Sequence, residues 1–199
     1  MKNKLKLLYN PFEWVAGWKA FLIGIVIVLL SVIIADYGNQ YYQGAMNIRL
    51  VPEANLVYGL LSQGVALLCM VMLFYISGRI FSRGVRFQDV LGTTTLARYP
   101  YIIPAFFGYF FDFDKLNDIT MSALSGNISE IGGELSLLVV TGFVMLIVLV
   151  WYIALLWNAF RISTDIKGGK GIVIFIIALV MTDLLYYGVM YLIDKFILV

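Results

Sequence analysis

The chain has 199 residues, of which 62% are hydrophobic and 13% charged, and its formal net charge is +2. A soluble domain needs a more polar exterior than this composition provides, so it excludes an ordinary soluble protein and favours one embedded in a lipid bilayer. The length predicts a single domain, residues 1–199. The absence of histidine removes the most common metal ligand and general base.

Five segments are apolar over about the 20 residues that a membrane-spanning helix requires. They are residues 18–35, 56–77, 88–111, 135–160 and 171–193. The third of them is the least apolar. The sequence therefore predicts an all-α fold, a polytopic membrane helix bundle with five transmembrane helices. At the outer end of the first span, Tyr37, Tyr41 and Tyr42 are expected at the membrane interface, where aromatic rings are enriched.

Basic residues alternate between the predicted connections. The connections after the second and fourth spans are predicted basic cytoplasmic turns, which contain Arg79, Arg83, Arg86, Arg161, Lys167 and Lys170. With five spans, both turns lie on the side of the N-terminus, and the opposite side has more acidic than basic residues. The positive-inside rule then places the N-terminus in the cytoplasm and the C-terminus outside. We expect the cell membrane, specifically a bacterial inner membrane.

Two charged residues fall within the predicted spans. Arg98 would lie about 15 Å from the cytoplasmic face if its helix starts at Gln88, and Asp183 about 18 Å from the same face. An uncompensated charge at mid-membrane costs about 2.5–3.5 kcal/mol even on insertion scales. The matching depths therefore predict an intramembrane polar pair, Arg98–Asp183.

A second arrangement of this region stays open from the sequence. The segment "FQDVLGTTTLA" could lie along the cytoplasmic surface, with the third span starting near Tyr99 and Arg98 reaching the lipid headgroups. Asp183 would then need another donor, for which Thr141 and Asn158 are the candidates.

Two prolines follow Arg98 closely and predict a helix kink. Pro100 and Pro104 have no N–H to donate, so carbonyl groups of the preceding turn lose their partners. Irregular backbone at membrane depth persists only where neighbouring groups or water satisfy those carbonyls. A kink beside a buried charge is typical of transport sites, and equally of a helix that bends for packing alone.

No catalytic constellation is present in the sequence. Intramembrane proteases use a histidine, two membrane aspartates or a zinc motif, whereas this chain has no histidine and only Asp183 at membrane depth. The single cysteine, Cys69, cannot form an intrachain disulfide. We therefore predict a non-enzymatic protein without cofactor or nucleic-acid partner. Its expected partners are the lipid bilayer and either another membrane protein or a second copy of the chain.

Three stretches resemble the bacterial branch of the Yip family, five-span membrane proteins first known as interactors of Ypt/Rab GTPases. "LYNPFEWVAGWKA" resembles the family's cytoplasmic lead-in, "FSRGVRFQDVLGTTTLARYPYIIP" its segment after the second span, and "WNAFRISTDIKGGKGIVIFIIALV" its fourth-to-fifth connection. The Asp-Leu-Tyr-Gly-Pro signature of the eukaryotic branch is absent, so Rab binding is not implied. The resemblance implies a five-span fold and a scaffold, adaptor or membrane-organising role.

A different function class is also open. A small-solute or ion transporter, or a channel subunit, would use Arg98 and Asp183 along its path. Five helices in one chain make a narrow path, so this alternative favours a homo-oligomer.

Overall fold

The computed structural model describes residues 8–111, 113–126 and 132–196. Its helices are α1 (Gly17–Tyr37), α2 (Leu56–Phe81), α3 (Phe87–Ala97), α4 (Phe113–Ser125), α5 (Gly132–Thr164) and α6 (Gly168–Phe196). Strands β1 (Gln40–Gln43) and β2 (Asn47–Leu50) form an antiparallel hairpin. Short 3-10 helices cover Pro11–Glu13, Tyr99–Ile102 and Pro104–Tyr109.

Four helices, α1, α2, α5 and α6, are long and apolar enough to cross a membrane. They correspond to the predicted first, second, fourth and fifth spans. The apolar window of α5 is only 11% buried within the protein, and so much exposed hydrocarbon surface requires an apolar surrounding medium. The prediction of a membrane-embedded helical bundle is confirmed for these four helices.

The predicted third span, residues 88–111, is not one continuous helix. Helix α3 ends at Ala97, Arg98 is its C-cap, and Pro100 and Pro104 each lie at the start of a 3-10 helix. Proline fits there because the first residues of a helix have no intrahelical acceptor for an N–H. The predicted kink is thus a change from α to 3-10 geometry. We call residues 87–109 the broken segment.

Glycines allow the broken segment to pack against α1 at both of its ends. A Cβ added to Gly92 would overlap the carbonyl oxygen of Gly17, and one added to Gly108 would overlap that of Gly38. Only the missing side chains let the two backbones approach this closely. The broken segment therefore runs beside α1 in the same direction, from the first turn of α1 to its C-cap.

The hairpin between α1 and α2 folds back into the bundle. Tyr42 and Ala45 are buried, and Gly44 forms the turn with a φ of +61°. The Ser62 hydroxyl of α2 donates a hydrogen bond to the Tyr42 carbonyl at 2.7 Å. Of the three tyrosines expected at the membrane interface, Tyr37 is exposed, whereas the side chains of Tyr41 and Tyr42 are buried in the protein and do not face lipid.

The hairpin supplies hydrogen bonds that the broken segment lacks. Gln40 Nε2 donates to the carbonyls of Pro104 and Ala105 at 2.9 and 2.6 Å. The Tyr42 hydroxyl donates to the Tyr101 carbonyl at 2.6 Å. Because buried backbone carbonyls need hydrogen-bond partners, the hairpin and the break stabilise each other.

The two predicted basic turns meet at one end of the bundle. Lys170, in the first turn of α6, lies with its Nζ 5.0 Å from the ring centre of Phe81 at the end of α2. Gly78 of α2 also faces Thr164 at the end of α5. We call this end of the bundle the basic end. It comprises the last turn of α2, residues 82–86 and the turn between α5 and α6. The opposite end, with the entry of the hairpin and α4, is the hairpin end.

Candidate functional site

Arg98 is the largest fully buried side chain of the part of the chain that the structure describes. Its exposure is 0%, and Nε, Nη1 and Nη2 have no hydrogen-bond partner. One turn earlier, the Thr94 hydroxyl oxygen is also buried without a partner. The carbonyl end of α3 offsets part of the charge. An unpaired guanidinium in a protein interior still costs several kcal/mol, so this position calls for a compensating group.

Asp183 lies half-buried near the middle of α6 and holds the tip of the hairpin. Its carboxylate accepts a hydrogen bond from the backbone N–H of Ala45 at 2.7 Å. One turn further along α6, the Tyr187 hydroxyl accepts from Asn47 Nδ2 at 2.9 Å. The hairpin backbone, rather than Thr141 or Asn158, is therefore the donor that Asp183 requires.

Two buried tyrosines hold the other side of the hairpin tip. The hydroxyls of Tyr101 and Tyr152 both donate to the carbonyl of Ala45, at 3.1 and 3.0 Å. Their rings are in edge-to-face contact, with centroids 4.5 Å apart, a geometry that aromatic pairs prefer. The backbone N–H of Ala45 thus donates to Asp183, and its carbonyl accepts from the two tyrosine hydroxyls.

Arg98 and Asp183 do not form a direct ion pair, although both lie within electrostatic range of the Tyr101 and Tyr152 hydroxyls. Asp183 has the Ala45 N–H as its partner, and the Arg98 nitrogens have none. The direct ion pair predicted from the matching depths is therefore wrong. Asp183 binds the backbone of the hairpin tip instead of Arg98. The alternative in which Arg98 reaches lipid headgroups is also wrong, because protein atoms enclose the side chain completely.

We define these groups as the central polar cluster, which consists of Ala45, Thr94, Arg98, Tyr101, Tyr152 and Asp183. A guanidinium offers donors in a planar fork and accepts nothing, so the group that can satisfy Arg98 is an anion or another acceptor-rich oxygen group. The described residues contain no set of three or more acidic, cysteine or histidine side chains that could hold a metal ion. The cluster is consequently a potential anion site.

The chain's first described residues pack beside this cluster. The Leu8 carbonyl accepts hydrogen bonds from the Tyr99 hydroxyl and from Trp151 Nε1. Asn158 Nδ2 donates to the Tyr9 carbonyl at 2.9 Å. Tyr99 and Trp151 are the sequence neighbours of Arg98 and Tyr152, so these hydrogen bonds hold the N-terminal segment against the elements that carry two cluster residues.

The sequence analysis did not identify Ala45 or Tyr152 as members of the site. Tyr152 carries a usable signal, because a tyrosine within a long apolar span and far from both ends must find a partner for its hydroxyl. Ala45 carries none, since it contributes only backbone atoms.

The predicted basic turns lie away from the cluster, at the basic end. Arg79, Arg83, Arg86 and Lys167 are exposed there, and Arg161 donates to the Asn158 side chain at 3.2 Å. Lys167 forms an exposed ion pair with Asp165 at 2.6 Å.

No protein-family model matches the chain, and comparison with curated proteins and solved structures likewise gives no match. The resemblance to the Yip family stays a prediction from the three quoted stretches, and the geometry of the central polar cluster carries the functional interpretation.

Proposed function

We propose that this protein is a membrane-embedded transporter or channel subunit that binds an anionic group at Arg98 within the bundle. The observation that carries the proposal is the fully buried guanidinium with three unpartnered nitrogens. Ionisable residues inside membrane proteins commonly mark substrate or ion pathways because their burial is costly. A bound carboxylate, phosphate or halide would remove that cost, which the protein's own described side chains do not do.

Five crossings of the membrane are part of the same proposal. The broken segment runs beside α1 from Gly17 to Gly38. This supports the proposal that it crosses the membrane over the same depth as α1. The chain direction then alternates through α1, α2, the broken segment, α5 and α6. The positive-inside rule places the basic end in the cytoplasm, with the N-terminus inside and the C-terminus outside a bacterial inner membrane.

This topology predicts opposite labelling of two engineered cysteines. In a Cys69→Ala background, Asp118→Cys should react with a membrane-impermeant maleimide in intact cells, since α4 lies at the hairpin end. Arg83→Cys should react only after the cells are permeabilised. Gel-shift detection of the labelled protein measures both. Labelling of the two positions from one side of the membrane would refute five crossings.

Anion binding predicts a thermal shift that depends on Arg98. The purified protein is heated at constant ionic strength with chloride, phosphate or short-chain carboxylates. An anion at 100 times its Kd should stabilise the fold by about 2.7 kcal/mol. Arg98→Gln should abolish the shift, whereas Lys167→Gln, which removes an exposed charge at the basic end, should keep it.

Two results would contradict anion binding at Arg98. One is a wild-type protein that no tested anion stabilises, and the other is an equal shift in Arg98→Gln. Where a stabilising anion is found, its efflux from proteoliposomes containing the wild-type protein, and its loss in Arg98→Gln, separates transport from binding alone.

A Yip-type scaffold or adaptor is the second candidate function. The exposed arginines of the basic end support it, because basic segments next to a membrane attract anionic headgroups and acidic partners. The joint change Arg79→Gln and Arg83→Gln would release a co-purified membrane protein under this proposal. Anion binding at Arg98 would be unaffected by it, so the two functions are separable.

A further inference from the structure

A lateral cavity of about 770 Å³ lies between β2, the 3-10 helices, α4 and α5. Its volume is within the range of about 300–1,000 Å³ that ligand pockets occupy. Most of its wall is apolar and is formed by Ile48, Leu50, Pro104, Phe107, Val148 and Leu149. An apolar cavity of this kind is poorly suited to water, which needs several polar partners.

The mouth of the lateral cavity is bordered by the outward surface of α5. Leu146 and Leu149 line the cavity and are 58% and 37% exposed, and their neighbour Ile147 is 66% exposed. These apolar side chains belong to a helix that is long and apolar enough to cross a membrane. The cavity therefore opens toward the hydrocarbon of the bilayer, where acyl chains are the abundant apolar ligand.

One end of the lateral cavity is polar and positively charged. Arg49 of β2 and Asn117 and Thr120 of α4 line it at the hairpin end. Arg49 is exposed, and the described lining of the cavity contains no carboxylate. Outside the cavity, Arg49 and Asp194 both lie within electrostatic range of Tyr58. At the other end the cavity reaches Tyr101, whose hydroxyl belongs to the central polar cluster.

This distribution matches an amphiphile with an anionic head and a hydrocarbon chain. A guanidinium forms charge-assisted, often bidentate hydrogen bonds with phosphate, and the Asn117 side-chain amide adds N–H donors. The Thr120 hydroxyl donates to the Leu116 carbonyl at 2.7 Å, so it contributes polarity at this end and no free donor. The apolar wall between Arg49 and Tyr101 accommodates a chain that enters sideways from the bilayer.

We propose that the lateral cavity binds one acyl chain of an anionic phospholipid from the leaflet at the hairpin end, with the lipid phosphate at Arg49. The site is separate from the anion site at Arg98 and does not depend on transport. The chain end would contact Tyr101, so an annular lipid would pack directly against the central polar cluster.

Photocrosslinking in nanodiscs tests this lipid site. The full chain is reconstituted with a small fraction of phosphatidylglycerol or phosphatidylcholine that carries a diazirine on one acyl chain, and peptide mass mapping locates the labelled residues. We expect phosphatidylglycerol to label the cavity-lining turn of α5 more strongly than phosphatidylcholine does. Arg49→Gln should reduce this preference about tenfold, as expected for loss of a charge-assisted hydrogen bond.

Matched variants of α5 separate the cavity from the general lipid-facing surface. Leu149→Trp fills the cavity mouth and should remove most of the cavity labelling, whereas Ile147→Trp adds the same ring outside the cavity and should not. Leu146→Trp provides a second cavity variant if Leu149→Trp does not fold. Labelling that is independent of headgroup charge, or that is unchanged in both cavity variants, would overturn the proposal. Equal labelling by a diazirine fatty acid at the same mole fraction would also overturn it, because the site would then not select a phospholipid.

Discussion

Replacing Arg98 with methionine should make the purified protein more stable when no anion is bound. Methionine is unbranched and flexible enough to fill the space without the charge. Because the three guanidinium nitrogens have no partner among the described residues, the substitution removes an uncompensated buried cation. Replacement of buried ionic groups by apolar ones has stabilised other proteins by about 1–4 kcal/mol. Thermal unfolding in detergent at low salt, followed by circular dichroism, measures the effect.

Whether Arg98→Met stabilises or destabilises the protein distinguishes an anion site at Arg98 from a structural ion pair with Asp183. A structural ion pair with Asp183 would make Arg98→Met destabilising by about 3–5 kcal/mol, because a buried carboxylate would lose its partner. Asp183→Asn is the matched control, since an amide oxygen can still accept from the Ala45 N–H. We expect only weak coupling between Arg98→Met and Asp183→Asn, because the two side chains act on the same tyrosine hydroxyls but make no direct contact. A destabilised Arg98→Met that Asp183→Asn partly rescues would contradict the anion-site interpretation.

Hydropathy located the helices of this bundle well because the bilayer requires long apolar segments. The predicted spans 18–35 and 56–77 fall within Gly17–Tyr37 and Leu56–Phe81. The predicted spans 135–160 and 171–193 likewise lie inside Gly132–Thr164 and Gly168–Phe196. The ends differ because helices continue past the apolar stretch into polar residues that still form backbone hydrogen bonds.

The conformation of the broken segment could not be predicted from its own residues. Pro100 and Pro104 indicate an interruption, but a proline kink and a 3-10 helix leave different carbonyls free. The choice depends on donors that lie far away in the sequence, namely Gln40 and Tyr42, which are 64 and 59 residues from their partners Pro104 and Tyr101. Local patterns contain no information on such distant partners.

The candidate site was predicted only in part, because some of its hydrogen-bond partners also lie far away in the sequence. Depth along two helices singled out Arg98 and Asp183, which are fully buried and half-buried in the structure. It could not indicate that a hairpin would enter between the helices and that Ala45 would take the hydrogen bond of Asp183. Strands β1 and β2 are only four residues long each, so their period-two pattern is too short to be distinguished from a loop.

Replacing Gly92 with alanine should destabilise the fold by about 3 kcal/mol, at the upper end of typical overpacking costs. The new Cβ would overlap the Gly17 carbonyl oxygen and lie 3.2 Å from the Ala20 Cβ. Backbone atoms of α1 cannot rotate away as a side chain can, so the two segments must separate. Folded yield after size-exclusion chromatography and the midpoint of thermal unfolding measure this loss.

Gly142→Ala is the matched control for that substitution, because nothing lies within 4 Å of a Cβ at this position of α5. Alanine there should be neutral or stabilise the helix by up to about 1 kcal/mol, since it restricts the unfolded chain more than glycine does. If Gly92→Ala behaved like Gly142→Ala, the broken segment would not pack tightly against α1. The proposal that it crosses the membrane beside α1 would then lose its support, and the burial of Arg98, which follows α3 directly, would need another explanation.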